Sequence, residues 1–150
     1  MKKIEVGDKV PTFTLLDQNG NSVTVNDAQG KPMVIYFYPK DDTPGCTKQA
    51  CQFRDQYESF MEFEALVIGI SSDNVESHKK FSEEYNLPFT LLSDSKKDVR
   101  KLFGVPKSLL LLPGRVTYVI DRNGVVQYIF NSQFGIEKHI ETALEKLEKI

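Results

Sequence analysis

The chain has 150 residues, of which 40% are hydrophobic and 27% are charged, and its 19 basic and 21 acidic residues give a net charge of −2. A chain of this length and composition can bury a core, so we expect one domain over residues 1–150. The balanced charge lacks the basic excess that nucleic acids and anionic membranes select, so we expect neither as a partner. The apolar stretches fall far short of the roughly 20 residues that a membrane-spanning helix needs.

The N-terminal segment and the metal-binding residue types exclude further classes. The N-terminus has no apolar run followed by a small-residue cleavage site, so we expect a chain that is not exported and stays in the cytoplasm. Two cysteines are too few for a disulfide framework. The two histidines, His78 and His139, stand at no ligand-like spacing, and we expect both to lie in solvent on charged helices.

The first predicted elements are strands. Residues 13–16 and 22–25 flank a turn that contains Asn19 and Gly20, a pair that tolerates positive φ at both central turn positions, and they predict a β-hairpin. Residues 33–38 are nearly all apolar, which is typical of a strand covered on both faces. This strand is therefore expected at the centre of a sheet.

Helices and strands alternate after this strand. The spacing of apolar residues and the turn residues predict, in order, a helix over 44–61, a strand over 65–70, a polar helix over 74–85, a strand over 89–92 and a short helix over 96–103 that Gly104 closes and Pro106 stops. A second hairpin over 115–130 turns at Asn123 and Gly124, and an apolar stripe over 136–150 predicts a docked helix. The order predicts an α/β fold with a central mixed sheet flanked by helices, which suits a thioredoxin-like architecture.

Cys46 lies at the start of the predicted helix that follows the central strand. Thr43 is placed as the N-cap and Pro44 as the first helical residue, so Cys46 falls in the first turn. Unpaired N–H groups and the helix dipole favour negative charge there, so we expect an accessible, nucleophilic thiolate. Gly45 leaves open space beside the sulfur. The alternative interpretation is a small apolar filler at a helix start.

Cys51 follows five residues later in the same predicted helix. On an ideal helix this spacing gives 7.5 Å of rise and puts the two Cα atoms roughly 8.6 Å apart. A disulfide tolerates about 7 Å, so the two cysteines of a regular helix bond only after it unwinds locally. The spacing excludes an ordinary Cys-x-x-Cys dithiol. It leaves open whether Cys51 is a partner thiol or an unrelated helix residue.

Further residues surround the two cysteines at a recognisable spacing, namely Pro39, Thr43, Pro44, Gly45, Thr47, Ala50 and the more distant Arg115. Together with the cysteines this set resembles the peroxiredoxins, and the second cysteine five residues after the first is similar to their peroxiredoxin Q or bacterioferritin comigratory protein branch. The resemblance implies a thioredoxin-like fold with peroxiredoxin additions and an N-terminal β-hairpin.

The resemblance also assigns roles to residues. It implies that Cys46 is the peroxidatic nucleophile and Cys51 the resolving thiol, that Thr43 and Arg115 complete the peroxide site, and that Pro39 shields it. An arginine there stays charged, and its forked donors can stabilise charge that moves from sulfur to the leaving oxygen. Without the resemblance, Arg115 at a strand end would be interpreted as solvated.

The implied function is a thiol peroxidase that reduces hydrogen peroxide and organic hydroperoxides in antioxidant defence. Its sulfenic acid would be resolved as an intramolecular disulfide, which thioredoxin or a similar dithiol reductant restores. No metal, haem or flavin cofactor is implied, a monomer is expected, and a plastid is the alternative compartment if a leader has been removed. A thioredoxin-like disulfide carrier and a non-catalytic binding module whose thiols only pack stay open as other functions.

Overall fold

One seven-stranded mixed sheet carries the fold. The computed structural model describes residues 3–27, 30–105, 114–132 and 135–150. The elements in chain order are β1 Phe13–Asp17, β2 Ser22–Val25, β3 Met33–Phe37, α1 Pro44–Asp55, α2 Tyr57–Glu62, β4 Leu66–Ser71, α3 Val75–Glu84, β5 Thr90–Ser93, α4 Asp98–Phe103, β6 Val116–Ile120, β7 Val126–Asn131 and α5 Ile136–Glu148. Within these ranges, no helix combines the length and the apolar character that crossing a bilayer requires.

The strand order is β2-β1-β5-β4-β3-β6-β7. Strands β3, β4 and β5 run parallel, whereas β1, β2, β6 and β7 pair antiparallel with their neighbours. Strand β3 therefore lies between a parallel and an antiparallel neighbour, as predicted for a central strand. Its carboxyl end leads directly into the loop before α1.

The side chains of β3 alternate between two buried clusters on opposite faces of the sheet. Those at positions 34 and 36 belong to a cluster that includes Phe53 of α1 and Ile140 of α5. Those at positions 33, 35 and 37 belong to a cluster that includes Phe103 of α4. All five residues of the strand are buried, so the predicted coverage of both its faces is confirmed.

The predicted single helix over 44–61 is wrong. Helix α1 ends at Asp55 and α2 begins at Tyr57, because Gln56 takes φ −101° and ψ 10°, outside helical geometry. Phe53 before the break and Phe60 after it are both fully buried, with ring centroids 5.5 Å apart. The spacing of apolar residues continues through the break, so it did not reveal where α1 ends.

Both predicted hairpins are confirmed, but their turns differ from the expectation. Gly20 and Gly124 take positive φ values of 81° and 78°, whereas Asn19 and Asn123 do not. In the first turn, the Gly20 N–H donates to the Asp17 carbonyl at 3.0 Å. Each turn therefore needs one glycine rather than two positive-φ residues. The predicted helix stop at Pro106 lies outside the described residues.

A close contact between β3 and β4 generates a stability prediction. Gly69 pairs with Tyr36, and a Cβ at position 69 would lie 2.8 Å from Tyr36 Cζ and 3.0 Å from Leu91 Cδ2. Because overpacking a dense core forces side chains out of place, Gly69→Ala should lower the free energy of unfolding by about 1–3 kcal/mol. Chemical denaturation followed by circular dichroism measures the loss.

The matched control is Tyr36→Phe, which removes a hydroxyl that would lie 2.9 Å from the new methyl group. This buried hydroxyl has no hydrogen-bond partner among the described residues. Phenylalanine relieves only this contact, because Cζ at 2.8 Å and Leu91 Cδ2 at 3.0 Å remain, so the Gly69→Ala change should cost somewhat less in the Tyr36→Phe background than in the parent. A larger cost in the Tyr36→Phe background would contradict the steric explanation.

Candidate active site

The loop after β3 leads directly into α1. Thr43 is the N-cap in an extended conformation, Pro44 opens the helix, and the Thr47 N–H donates to the Thr43 carbonyl at 2.8 Å. Cys46 is the third residue of the helix, so its predicted place in the first turn is confirmed. The unpaired N–H groups and the helix dipole at this end favour a negative charge on the sulfur.

Arg115 lies immediately before β6 and reaches the sulfur of Cys46. Its Nη2 donates to Sγ at a distance of 3.5 Å, and both residues are buried, with Arg115 4% and Cys46 2% exposed. The structure thus brings together two predicted site residues that are 69 positions apart. A guanidinium beside a cysteine sulfur stabilises the thiolate, which is the nucleophilic form. The expectation that Arg115 would be solvated without the resemblance does not hold.

The predicted accessibility of Cys46 is wrong for this conformation. The side chain belongs to the cluster that also contains Tyr36, Ala50 and Phe53, because it lies on the face of α1 that packs on the sheet. The sequence placed Cys46 correctly on an apolar helical face. A reagent therefore reaches the sulfur only where neighbouring side chains move aside.

Gly45 allows the approach of the guanidinium. A Cβ at this position would lie 3.1 Å from Arg115 Nη2 and 3.1 Å from the Cδ1 atom of Ile136 in α5. These distances are tighter than ordinary van der Waals contact, so any side chain at position 45 would push against the arginine. The sequence predicted open space beside the sulfur at Gly45, and the Arg115 guanidinium occupies that space.

Gln49 is a site residue that the sequence analysis missed. It is fully buried, and its Oε1 accepts from Arg115 Nη1 at 2.5 Å. Its Nε2 has no hydrogen-bond partner among the described residues. Gln49 follows Cys46 by three positions and so shares its helical face, a spacing that identifies it once Cys46 is singled out.

The remaining predicted site residues lie near this contact without joining it. The Thr43 hydroxyl donates to the Lys40 carbonyl at 2.9 Å and makes no capping bond. Pro39 is half-buried in the loop that follows β3. Cys51 is half-buried in the same helix as Cys46, and both thiols are free.

His139 was expected in solvent, but it is fully buried. Its Nε2 lies 2.7 Å from the Ser132 carbonyl oxygen, which only accepts, so Nε2 carries the hydrogen. Its Nδ1 then accepts from the Thr117 hydroxyl at 2.7 Å. The ring faces inward from α5 and joins that helix to β6 and β7. Burial lowers the pKa of His139 to about 4, and the positive charge of Arg115 acts in the same direction.

His78 was also expected in solvent and is fully buried. Its Nδ1 lies 2.6 Å from Asp41 Oδ2 and its Nε2 lies 3.0 Å from the Leu92 carbonyl oxygen. The other oxygen of Asp41 accepts from the Tyr38 hydroxyl at 2.5 Å. Charged residues surround His78 in the sequence, but the ring points from α3 into the loop that precedes Cys46. This pair anchors that loop.

Asp41, Asp73 and His78 form a group whose ligand atoms all lie within 4.8 Å of one another and could in principle hold a metal ion. The carboxylates are already used, since Asp73 Oδ2 accepts from the Asp41 N–H at 2.8 Å and from the Ser71 hydroxyl at 2.6 Å. A metal would have to displace these bonds. The group therefore functions as a hydrogen-bond network in this structure.

Comparisons with known proteins agree with this geometry. The model of the AhpC/TSA family matches residues 6–129. The chain is 56% identical over 149 residues to "Peroxiredoxin Q, chloroplastic" of Oryza sativa subsp. japonica, covering 99% of this chain and 69% of that protein.

Solved structures agree as well. The crystal structure of peroxidoxin BcpB from Mycobacterium tuberculosis has a TM-score of 0.90 and 40% identity, with 98% of each chain covered. The bacterioferritin comigratory protein of Xanthomonas campestris, whose structures concern alkyl peroxide reduction activity, has a TM-score of 0.84 and 29% identity, with 91% of this chain and 90% of that chain covered. These similarities confirm the predicted thioredoxin-like fold and the resemblance drawn from the motif.

The buried His139 predicts a pH dependence of stability. The unfolded chain takes up a proton near pH 6.5, whereas burial holds the pKa of the folded histidine at about 4. The unfolded state therefore binds more protons between these values, and the free energy of unfolding should fall by about 3 kcal/mol as the pH drops from 6.5 to 4.

Denaturation at a series of pH values measures this loss in the parent and in His139→Gln. Other titrating groups contribute to both proteins, so the difference between the two curves isolates the histidine. The variant should lose less stability than the parent across this window. Parallel curves would refute the assignment.

Proposed function

The chain belongs to the AhpC/TSA family, in its peroxiredoxin Q and bacterioferritin comigratory protein branch, and is a thiol peroxidase; from this membership we propose that Cys46 is its peroxidatic nucleophile. The observation that carries the proposal is the contact between the Arg115 guanidinium and the Cys46 sulfur in the first turn of α1. We propose hydrogen peroxide and organic hydroperoxides as substrates. The alkyl peroxide activity named for the Xanthomonas campestris relative supports the second class.

In the first step, the Cys46 thiolate attacks one oxygen of the peroxide and the O–O bond breaks. The electron pair of that bond leaves on the far oxygen, which takes a proton and departs as water or an alcohol. Sulfur gives up two electrons to the peroxide and becomes a sulfenic acid. No metal, haem or flavin enters this step.

Arg115 stabilises charge through this step. Negative charge is on sulfur before the attack and develops on the leaving oxygen during it, and a forked guanidinium can donate towards both places. Gln49 fixes the orientation of the fork, because its Oε1 holds Nη1 while Nη2 faces the sulfur.

Thr43 and Pro39 take the supporting roles in this proposal. The Thr43 hydroxyl lies one turn before Cys46, and its bond to the Lys40 carbonyl can be exchanged for a bond to a bound peroxide. Pro39 has no N–H and offers an apolar ring at the loop, which suits a residue that keeps water from the sulfur. Both residues precede α1 on one short loop.

In the second step, Cys51 attacks the sulfenic sulfur, an S–S bond forms and hydroxide leaves as water after taking a proton. The two cysteines lie in one continuous helix, and ideal geometry separates their Cα atoms by roughly 8.6 Å. Because a disulfide requires less than about 7 Å, one end of α1 has to unwind before resolution. Thioredoxin, or a similar dithiol, then reduces the disulfide.

The proposal also covers the compartment and the oligomeric state of the enzyme. Relatives at 56% identity from Oryza sativa and Sedum lineare are named chloroplastic, which supports a plastid over the cytoplasm that the N-terminal sequence suggested. We propose a monomer, which gel filtration tests. That residues 1–150 form one domain stays a prediction.

The two cysteines should differ in their effect on peroxide consumption. Cys46→Ser should abolish it, because the nucleophile is gone. Cys51→Ser should leave the first oxidation intact, with one oxygen added per chain by intact mass, but should stall turnover with thioredoxin. Loss of the first oxidation in both variants, or two free thiols in the parent after one equivalent of peroxide, would sink the scheme.

Arg115→Met should slow the first oxidation by roughly 100-fold or more, as expected for the loss of a donor that stabilises developing charge. The rate is measured by rapid quenching and intact mass, since the chain has no tryptophan for fluorescence. Arg122→Met is the matched control, because Arg122 is exposed in the turn between β6 and β7. An Arg115→Met rate equal to that of the control would remove Arg115 from the site.

A further inference from the structure

A second arginine lies behind the peroxide site. Arg100 of α4 donates from Nη2 to the Tyr38 carbonyl at 3.1 Å and from Nη1 to the Gly114 carbonyl at 3.2 Å. Its guanidinium carbon lies 5.5 Å from the centroid of the Phe37 ring. One side chain therefore holds two backbone segments that are far apart in sequence.

These two segments lead directly to the residues of the proposed peroxide site. Tyr38 immediately precedes Pro39 and the loop into α1, and Gly114 immediately precedes Arg115. The separation of the two carbonyls therefore sets how far the base of the Cys46 loop lies from the backbone of Arg115.

The ladder between β3 and β6 ends at this point, and the sequence explains why. The last register pair is Phe37 with Val116, and two further positions would bring Pro39 opposite Gly114. Proline has no N–H to donate, so it cannot continue the ladder. The Gly114 carbonyl accepts from the Arg100 guanidinium instead.

Hydrogen bonds at the start of α4 fix the position of Arg100. The carboxylate of Asp94 accepts from the backbone N–H groups of Val99 and Arg100, at 3.1 Å and 2.8 Å, and fixes the start of α4. Burial lowers the pKa of the Arg100 guanidinium, and the negative charge of Asp94 opposes that shift.

We propose that Arg100 is a positioning residue for peroxide reduction, whose fork replaces the missing strand pairing and fixes the distance between the Cys46 loop and Arg115. Arg100 does not touch the reacting atoms and acts through the backbone on either side of them. This inference rests on the proposed function of Cys46 and Arg115. It predicts that losing the fork lowers reactivity towards peroxide more than it lowers the nucleophilicity of the thiolate.

The test compares two rates in a Cys51→Ser background, which limits the reaction to the first oxidation. One is the rate of Cys46 oxidation by hydrogen peroxide, and the other is the rate of Cys46 alkylation by iodoacetamide over a pH series. Alkylation needs the thiolate but no peroxide pocket. Because Cys46 is buried, loss of structure would itself raise the alkylation rate, so circular dichroism and thermal unfolding first establish that each variant is as folded as the parent. Among such variants, the ratio of the two rates reports the geometry of the site.

Arg100→Lys keeps the positive charge but cannot span both carbonyls with a fork. Its peroxide-to-alkylation ratio should fall roughly 10- to 100-fold, in the range expected when a reacting group is misplaced, with the pH midpoint of alkylation unchanged. Arg100→Gln, measured in the same way, should also lower the ratio, because it cannot donate to both carbonyls. It keeps the test decisive if the lysine variant does not fold.

Arg54→Lys is the matched control, since Arg54, in the last turn of α1, also donates to a backbone carbonyl, that of Tyr85 at 2.8 Å. Its ratio should equal that of the parent. An unchanged ratio in the folded Arg100 variants, or an equal fall of both rates, would overturn the positioning role. A parent that does not consume peroxide would instead overturn the proposed function.

Discussion

Burying a guanidinium destabilises the folded state unless its N–H groups find hydrogen-bond acceptors. The arrangement around Arg115 follows from that requirement. Arg115 is 4% exposed and donates to Gln49 Oε1 and to Cys46 Sγ. A thiolate on Cys46 compensates the buried positive charge better than a thiol does, so the arginine and the helix end favour the same ionised sulfur. Gly45 gives the guanidinium room to approach. The contacts that satisfy the buried arginine thus also hold it beside the sulfur that we propose as the nucleophile.

The same packing opposes the disulfide formation that we propose as the second step. Cys46, Ala50 and Phe53 bury one face of α1 in the core, whereas Cys51 on that helix is only half-buried. Unwinding far enough to join the two sulfurs exposes part of this face, and each buried CH₂ group contributes about 0.8 kcal/mol to keeping it covered. The helix therefore favours the reduced, fully folded form, and disulfide formation has to offset the loss of packing.

Local chemistry was predictable from the sequence, whereas inward contacts across the fold were not. Cys46 in the first turn of α1 follows from Thr43 and Pro44, and the coverage of β3 follows from its apolar run. His78 and His139 were misplaced because the charged residues around them describe the outer faces of α3 and α5, while the ring of each histidine is fully buried. Gln49 could have been found from its spacing to Cys46. The carbonyl partners of Arg100 depend on the place where two strands stop pairing, which no local pattern encodes.

The polar residues of the interior gather where β3 ends, and the backbone explains why. Inside the sheet, the ladders with β4 and β6 pair the backbone groups of β3. At Pro39 the ladder to β6 cannot continue, so the Gly114 carbonyl has no strand partner there, and an unpaired buried carbonyl is costly. Arg100 donates to this carbonyl and also to that of Tyr38, at the end of β3. The Arg100 guanidinium thus bridges the segment that ends β3 and the segment that leads into Arg115. The proline that ends the ladder and the arginine beside Cys46 are therefore linked through the backbone that Arg100 holds.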